Sequence, residues 1–221
     1  RDRDVTGVQT CALPISFTDR YDIFYLKNGI GNDDETTIRR GWAEDASNIV
    51  IHQYDHEREL LKAMIAYIQE IDPDLLAGWN FTLFDMPYIQ GRLTALGLDP
   101  RDLGRIPGWV SPRGDMVRGR AVFDLLNGYK RLESSEKPSY RLDAIAEDEL
   151  GEHKVYHKES LSELWRTDPG KFVMYNWKDV ELTVKIDTKK SIIDFHLELS
   201  RYVGCPDRKS TRLNSSHITI S

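Results

Sequence analysis

The sequence contains only two cysteines, no long apolar run and no surplus of basic residues. Cys11 and Cys205 are too few to build a disulfide framework or a cysteine-based metal site, and they suit a reducing cytoplasm. No stretch has the length of apolar sequence that spans a bilayer, so we expect no membrane partner. Lys and Arg number 30 against 36 Asp and Glu, and this acidic balance argues against nonspecific coating of duplex nucleic acid.

Both ends of the sequence read as translated sequencing adapter instead of native protein. Residues 207–221 (DRKSTRLNSSHITIS) can be back-translated codon by codon into a common short-read library adapter with its index. Residues 5–15 (VTGVQTCALPI) give the complementary strand of the same adapter family. A natural disordered tail is the alternative, and two matching ends disfavour it. We therefore expect residues 1–16 and 207–221 to be adapter and residues 17–206 to form one domain.

Apolar patterning between the two ends predicts strands that alternate with helices. Short runs rich in Ile, Val, Leu and aromatic residues predict strands at 21–27, 48–52, 75–79 and 121–126, the first two as an antiparallel pair. Helices are predicted at 57–71, around 87–96, at 142–150, at 160–165 and at about 171–202. Gly97–Arg120, rich in Gly, Pro and Arg, predicts a long loop. The order implies an α/β fold with a mixed sheet flanked by helices.

The segment 78–89 (GWNFTLFDMPYI) places polar side chains just past the carboxyl end of a predicted buried strand. Open α/β sheets bind ligands at this edge. Asp85 could present its carboxylate to a metal ion there, while backbone N–H groups fix its orientation. A helix-capping role for Asp85 is the alternative.

Tyr175 and Asp179 lie one turn apart on the last predicted helix and therefore share a face. That face continues through Leu182 and Ile186, which predicts that it is buried and points at the sheet. An aspartate on a buried face must be paired, hydrogen-bonded or bound to a metal. The spacing is common by chance, so this pair alone specifies no function.

Together, these two segments resemble the second and third exonuclease motifs of family B DNA polymerases. The matching residues are Asn80-x-x-x-Phe84-Asp85 and, later in the chain, Tyr175-x-x-x-Asp179. Three further segments resemble the same family: DPDLLAGWN (72–80), VFDL (122–125) and SYRLD (139–143). The resemblance covers nearly all of residues 17–206, and its character is archaeal, especially haloarchaeal.

The resemblance implies a ribonuclease-H-like exonuclease fold that hydrolyses DNA 3′ ends with two Mg²⁺ or Mn²⁺ ions. Asp85 and Asp179 would be metal ligands, and Tyr175 would orient or help deprotonate the attacking water. Asn80 and Phe84 would contact the frayed 3′ end, with core packing as the alternative for Phe84. The implied partners are single-stranded 3′ ends, primer–template DNA and the polymerase domain of a parent chain, in the nucleoid-associated cytoplasm.

The first motif of the family, D-x-E on an apolar strand, is not found in residues 17–206. Asp33-Asp34-Glu35 lies in a polar loop and Asp55-His56-Glu57 at a predicted helix start, so both predict solvated or capping groups. We expect the true motif, with the first strand of the sheet, upstream of Phe17, which predicts that this chain is inactive as it stands.

Other interpretations stay open from the sequence. Arg113, Arg118 and Arg120 could touch DNA phosphates or belong to an ordinary solvated loop. The chain could also be a stand-alone exonuclease of the same superfamily. A non-catalytic DNA-binding relative is a third possibility, which the presence of Asp85, Tyr175 and Asp179 together disfavours because a scaffold needs no buried carboxylates.

Overall fold

The computed structural model describes residues 10–14, 20–39, 42, 48–106, 117–155 and 159–202. The chain divides into two compact units, Arg1–Met64 with His153–Leu182 and Ile65–Glu152 with Thr183–Ser221. Strands and helices alternate along it, which confirms the predicted α/β class. Within the described ranges, no helix is long and apolar enough to cross a membrane.

The elements are numbered in chain order. The strands are β1 Thr10–Pro14, β2 Tyr21–Leu26, β3 Ile49–Tyr54, β4 Leu75–Gly78 and β5 Ala121–Asp124. The helices are α1 Glu35–Ile38, α2 Glu57–Ile71, α3 Asp85–Ala95, α4 Leu125–Leu132, α5 Leu142–Leu150, α6 Leu161–Thr167, α7 Pro169–Lys190 and α8 Ile192–Tyr202, with a 3-10 turn at Pro100–Leu103.

The first unit contains a three-stranded sheet in the order β1-β2-β3. β1 is antiparallel to β2, and β2 is parallel to β3, with Ile23 opposite Ile51. The predicted antiparallel pairing of residues 21–27 with 48–52 was therefore wrong. The reason lies in the connection, because parallel strands need a long crossover and residues 27–48, which include α1, supply one.

Alternate residues of β2 and β3 build the core of the first unit. Ile23 and Tyr25 are fully buried and cluster with Ile49 and Ile51 from β3. The same cluster takes in further side chains from α1, α6 and α7: Ile38, Leu164, Phe172 and Val173. The indole of Trp165 donates to the Leu26 carbonyl at 2.9 Å and ties α6 to the end of β2.

The second unit contains β4 and β5, which pair in parallel from Leu75 opposite Ala121 to Gly78 opposite Asp124. The described strands thus form two sheets, whereas one mixed sheet was predicted. β4 and β5 have only four residues each, and all four pair with the partner strand. Their register brings the carboxyl ends of both strands to one edge.

Two helix boundaries in the second unit differ from prediction. The predicted strand 121–126 ends at Asp124, because the Asp124 carboxylate accepts the Asn127 N–H at 3.3 Å and caps α4. The single long helix predicted from about residue 171 to 202 is interrupted at Ser191, whose φ of 48° is left-handed. The Asp187 carboxylate accepts the Ile193 N–H at 3.0 Å and begins α8.

Candidate functional site

In the second unit, the turn 79–84 follows β4 and carries two of the predicted substrate-binding residues. Asn80 adopts a left-handed φ of 63°, which asparagine tolerates better than most residues. Its carbonyl accepts the Phe84 N–H at 3.1 Å and closes the turn. Phe81 is buried, whereas the Phe84 side chain is 69% exposed. Core packing, the alternative for Phe84, is therefore wrong, and Phe81 is the aromatic residue that packs.

Asp85 is the first residue of α3, directly after this turn. The N-cap position belongs to Phe84, whose side chain makes no capping hydrogen bond. Asp85 therefore does not occupy the N-cap position that the capping alternative gave it. Asp85 is half-buried in the first helical turn, where the helix dipole favours a negative charge.

Asp124 is a site-edge residue that the sequence did not single out. Its side chain is buried at the end of β5, opposite Gly78 at the end of β4. Oδ2 accepts both the backbone N–H of Thr82, at 3.2 Å, and the Thr82 hydroxyl. In the sequence, the segment VFDL was matched only as part of the family resemblance. An aspartate at the end of a predicted apolar strand is the signal that could have identified Asp124.

In the first unit, α7 places Tyr175 and Asp179 beside a lysine that was not predicted. Lys154 Nζ lies 2.7 Å from Asp179 Oδ2 and 5.5 Å from the centroid of the Tyr175 ring. Burial, and then the negative charge of Asp179, raise the pKa of the Tyr175 phenol above its ordinary value, and Lys154 opposes them. The phenol is therefore a neutral hydrogen-bond donor near pH 7.

The face of α7 that bears Tyr175 and Asp179 is not the one that packs on the sheet core. Phe172 and Val173 enter the core cluster, and Trp177 and Val180 pack against it. Tyr175 and Asp179 lie on a neighbouring stripe and are half-buried. The prediction that Tyr175 and Asp179 lie on the buried face that points at the sheet was therefore wrong for these two residues, although Leu182 and Ile186, assigned to the same face, have no exposed surface.

In the two candidate D-x-E segments, Asp34 is a capping group and Asp55 a solvated one, as predicted, whereas the prediction was wrong for Asp33, which is buried. Asp34 is the N-cap of α1 and accepts the Thr37 N–H at 3.0 Å. Asp33 is buried in the loop before it and accepts the Asn28 N–H. Asp55 is exposed and pairs with Lys27 at 3.1 Å. Neither segment presents its carboxylates as a strand motif would.

The described carboxylates do not by themselves fit the predicted two-metal centre. In the part of the chain that the structure describes, no group of three Asp, Glu, His or Cys side chains is arranged to hold an ion. Asp179 is paired with Lys154, whose positive charge opposes a divalent cation at the same carboxylate. Convergence of Asp85 with Asp179 on shared ions stays a prediction.

Both interpretations left open for Arg120, a DNA-phosphate contact and a solvated loop residue, are wrong, because its side chain is buried. Its guanidinium donates to the carbonyls of Pro73 at 2.6 Å, Leu103 at 3.1 Å and Ile68 at 3.2 Å. Asp72 pairs with it at 2.9 Å. Arg118 is half-buried, and Arg113 lies outside the described residues.

Comparison with known proteins identifies the family. A family model described as "DNA polymerase family B, exonuclease domain" matches residues 11–145, more than half of the chain. The chain belongs to this family, which confirms the resemblance seen in the sequence. The match begins inside the segment 1–16 that was interpreted as adapter, and that interpretation stays a prediction.

The similar curated proteins include polymerases from phages and archaea. A DNA-directed DNA polymerase of Escherichia phage RB69 is 30% identical over 85% of this chain and 23% of its own length. One from Enterobacteria phage T4 is 26% identical over 74% of the chain and 19% of its length. A DNA polymerase of Pyrococcus glycovorans is 32% identical over 68% of the chain and 20% of its length. The chain thus spans less than a quarter of these relatives, and the haloarchaeal character stays a prediction.

Proposed function

We propose that this chain supplies the 3′-to-5′ proofreading exonuclease domain of a longer family B DNA polymerase, with a ribonuclease-H-like fold. The observation that carries the proposal is the turn after β4, where Phe84, with its side chain exposed, directly precedes Asp85 at the start of α3. An exposed aromatic ring can stack on an unpaired base, and stacking needs no particular base. Together with Asn80, Phe84 is proposed to hold the frayed 3′ end.

The cluster on α7 supports the same function. Lys154 brings a positive charge within 2.7 Å of Asp179, which suits a site that receives a phosphodiester. Because its pKa is raised, Tyr175 keeps its proton at neutral pH. Tyr175 is therefore proposed to orient the attacking water by hydrogen bonding. Deprotonation of that water by Tyr175 is the less favoured of the two predicted roles.

Asp85 and Asp179 are proposed to bind Mg²⁺ or Mn²⁺ in a domain that also holds the D-x-E carboxylates. Such ions, when bound, activate water and stabilise the leaving oxygen. Since the described carboxylates alone do not fit this centre, the 221-residue chain is proposed to be inactive. Primer–template DNA and a polymerase domain are the proposed partners, which would place the protein at the nucleoid.

A digestion assay on single-stranded DNA with Mg²⁺ tests the proposed function. The 221-residue chain should not shorten a 5′-fluorescein-labelled oligo(dT), and clear digestion that Asp179→Ala abolishes would contradict the proposed inactivity. In the uninterrupted polymerase, Asp85→Ala and Asp179→Ala should each abolish removal of a mismatched 3′ nucleotide. If Asp85→Ala left proofreading intact, the role of Asp85 would be wrong.

The same oligonucleotide separates the remaining alternatives. A non-catalytic DNA-binding relative would bind oligo(dT) but would leave a mismatched 3′ end in place even in the uninterrupted protein. A stand-alone exonuclease would remove the mismatch and would show no nucleotide addition on a primer–template.

A further inference from the structure

We infer that Asp124 is a positioning residue, which acts through Thr82 to hold the turn 79–84 and so sets the placement of Phe84 and Asp85. This inference rests on the proposed function, because the turn matters only if it meets DNA. Asp124 itself is 1% exposed and cannot touch a substrate.

The register of the second sheet brings Asp124 to the turn. Gly78 ends β4 opposite Asp124 at the end of β5, so the turn leaves its strand beside the Asp124 side chain. The two carboxylate oxygens have different partners. Oδ1 accepts the Asn127 N–H and caps α4, while Oδ2 accepts both the N–H and the hydroxyl of Thr82.

Because the two oxygens bind different partners, this position needs an aspartate. A helix cap requires one acceptor, which Ser or Asn supplies about as well as Asp. Asparagine has a single carbonyl oxygen, so it could satisfy either Asn127 or Thr82, and its NH₂ group would meet an N–H donor at the other. The bonds to Thr82 are therefore what distinguishes Asp124 from an ordinary cap.

The rest of the turn depends on few anchors. The Trp79 indole donates to the Tyr140 carbonyl at 3.1 Å, and Phe81 is buried. Leu83 and Phe84 are exposed, so packing does not fix them. Thr82 lies between these two pairs, and its bonds to Asp124 join the exposed half of the turn to β5.

Amide exchange and DNA binding in the 221-residue chain test the inference. Asp124→Asn should speed exchange at the Thr82 amide about tenfold, the effect of one lost hydrogen bond. It should also weaken binding of fluorescein-labelled oligo(dT) about tenfold. Thr82→Val should weaken binding in the same direction, and Thr82→Ser, which keeps the hydroxyl, should restore it.

The chain offers a matched control at the cap of α1. The Asp34 carboxylate accepts the Thr37 N–H at 3.0 Å and the Thr37 hydroxyl at 2.6 Å, so both of its oxygens serve the cap of α1 alone. Asp34→Asn should lower stability without changing exchange at Thr82 or binding of oligo(dT). Weakened binding in Asp124→Asn but not in Asp34→Asn would show that loss of a helix cap alone does not weaken the binding of oligo(dT).

Phe84→Ala separates failure of this inference from failure of the proposed function. If Phe84→Ala weakens oligo(dT) binding while Thr82→Val and Asp124→Asn leave it unchanged, the inference is overturned and the function stands. If Phe84→Ala has no effect either, the proposed contact with DNA fails. Should Asp124→Asn prevent folding, the Thr82→Val and Thr82→Ser pair decides alone.

Discussion

The Lys154 ammonium lies 2.7 Å from Oδ2 of Asp179, and its charge faces the ring of Tyr175 on the preceding turn of α7. The negative charge of Asp179 and the positive charge of Lys154 therefore both act on the half-buried phenol of Tyr175. Removal of either charge should therefore shift the ionisation of Tyr175, and the two removals should shift it in opposite directions.

We predict that Asp179→Asn lowers the pKa of Tyr175, because the carboxylate charge opposes ionisation of the phenol. Lys154→Met should raise it further, because the ammonium favours the phenolate. Ultraviolet difference titration of each variant against the same variant carrying Tyr175→Phe isolates this tyrosine. Shifts of the same sign in both variants would contradict the arrangement, provided that circular dichroism shows a folded chain over the titration.

Arg120 should contribute strongly to stability, because it is buried and bonds three carbonyls as well as Asp72. We predict that Arg120→Met lowers the free energy of unfolding by about 3 kcal/mol, since it leaves buried acceptors unsatisfied. Urea denaturation with far-ultraviolet circular dichroism measures this change.

Arg105 provides the control for that prediction. It pairs with the same Asp72 carboxylate at 2.6 Å, but its side chain is about one-third exposed. Water can replace its bonds, so Arg105→Met should destabilise the chain less than Arg120→Met. Equal losses from the two variants would show that burial of Arg120 is not the cause.

Local patterns in the sequence predicted the elements that the structure shows most regularly. The apolar stripe of residues 57–71 predicted α2 with its observed ends, and the run at 75–79 predicted β4. The turn after β4 followed from Asn80 and Asp85 at a strand end. These features depend on residues that are close in sequence, so local sequence patterns are enough to predict them.

The features that the sequence did not predict depend on tertiary contacts. Lys154 lies in a polar segment with a second lysine, Lys158, and the sequence does not indicate which of them is the partner of Asp179. Nothing in the loop composition distinguishes buried Arg120 from a solvated arginine. The break at Ser191 has no Gly or Pro beside it, and it depends on a left-handed φ and on the Asp187 carboxylate.

Gly128 should not tolerate a side chain, although it lies inside α4. An added Cβ would stand 2.7 Å from Ile192 Cγ2 and 2.7 Å from Phe123 Cζ. We predict that Gly128→Ala lowers the free energy of unfolding by about 2 kcal/mol, because overpacking outweighs the gain in helix propensity.

Gly91 in α3 provides the control, since such a Cβ would meet none of the described atoms beyond its own helix backbone within 4 Å. Gly91→Ala should therefore raise the free energy of unfolding by about 0.5–1 kcal/mol. Urea denaturation of both variants measures the contrast, and a stabilising Gly128→Ala would contradict the close packing of α4 on α8.

His196 should make stability depend on pH in the mildly acidic range. Its ring is buried edge-on to Phe123, its Nδ1–H donates to the Ile192 carbonyl at 2.8 Å, and burial lowers the pKa of His196 below its ordinary value. The positive charge of Arg131 lowers it further, and the hydrogen bond to Ile192 opposes both. The unfolded chain then binds a proton that the folded chain resists, so stability falls as pH drops through about 6.5, the ordinary histidine value.

Urea unfolding at a series of pH values should show this loss. His196→Gln should reduce the slope of the free energy of unfolding against pH between pH 7.5 and pH 5. An unchanged slope in His196→Gln would mean that burial of His196 is not the origin of the pH dependence.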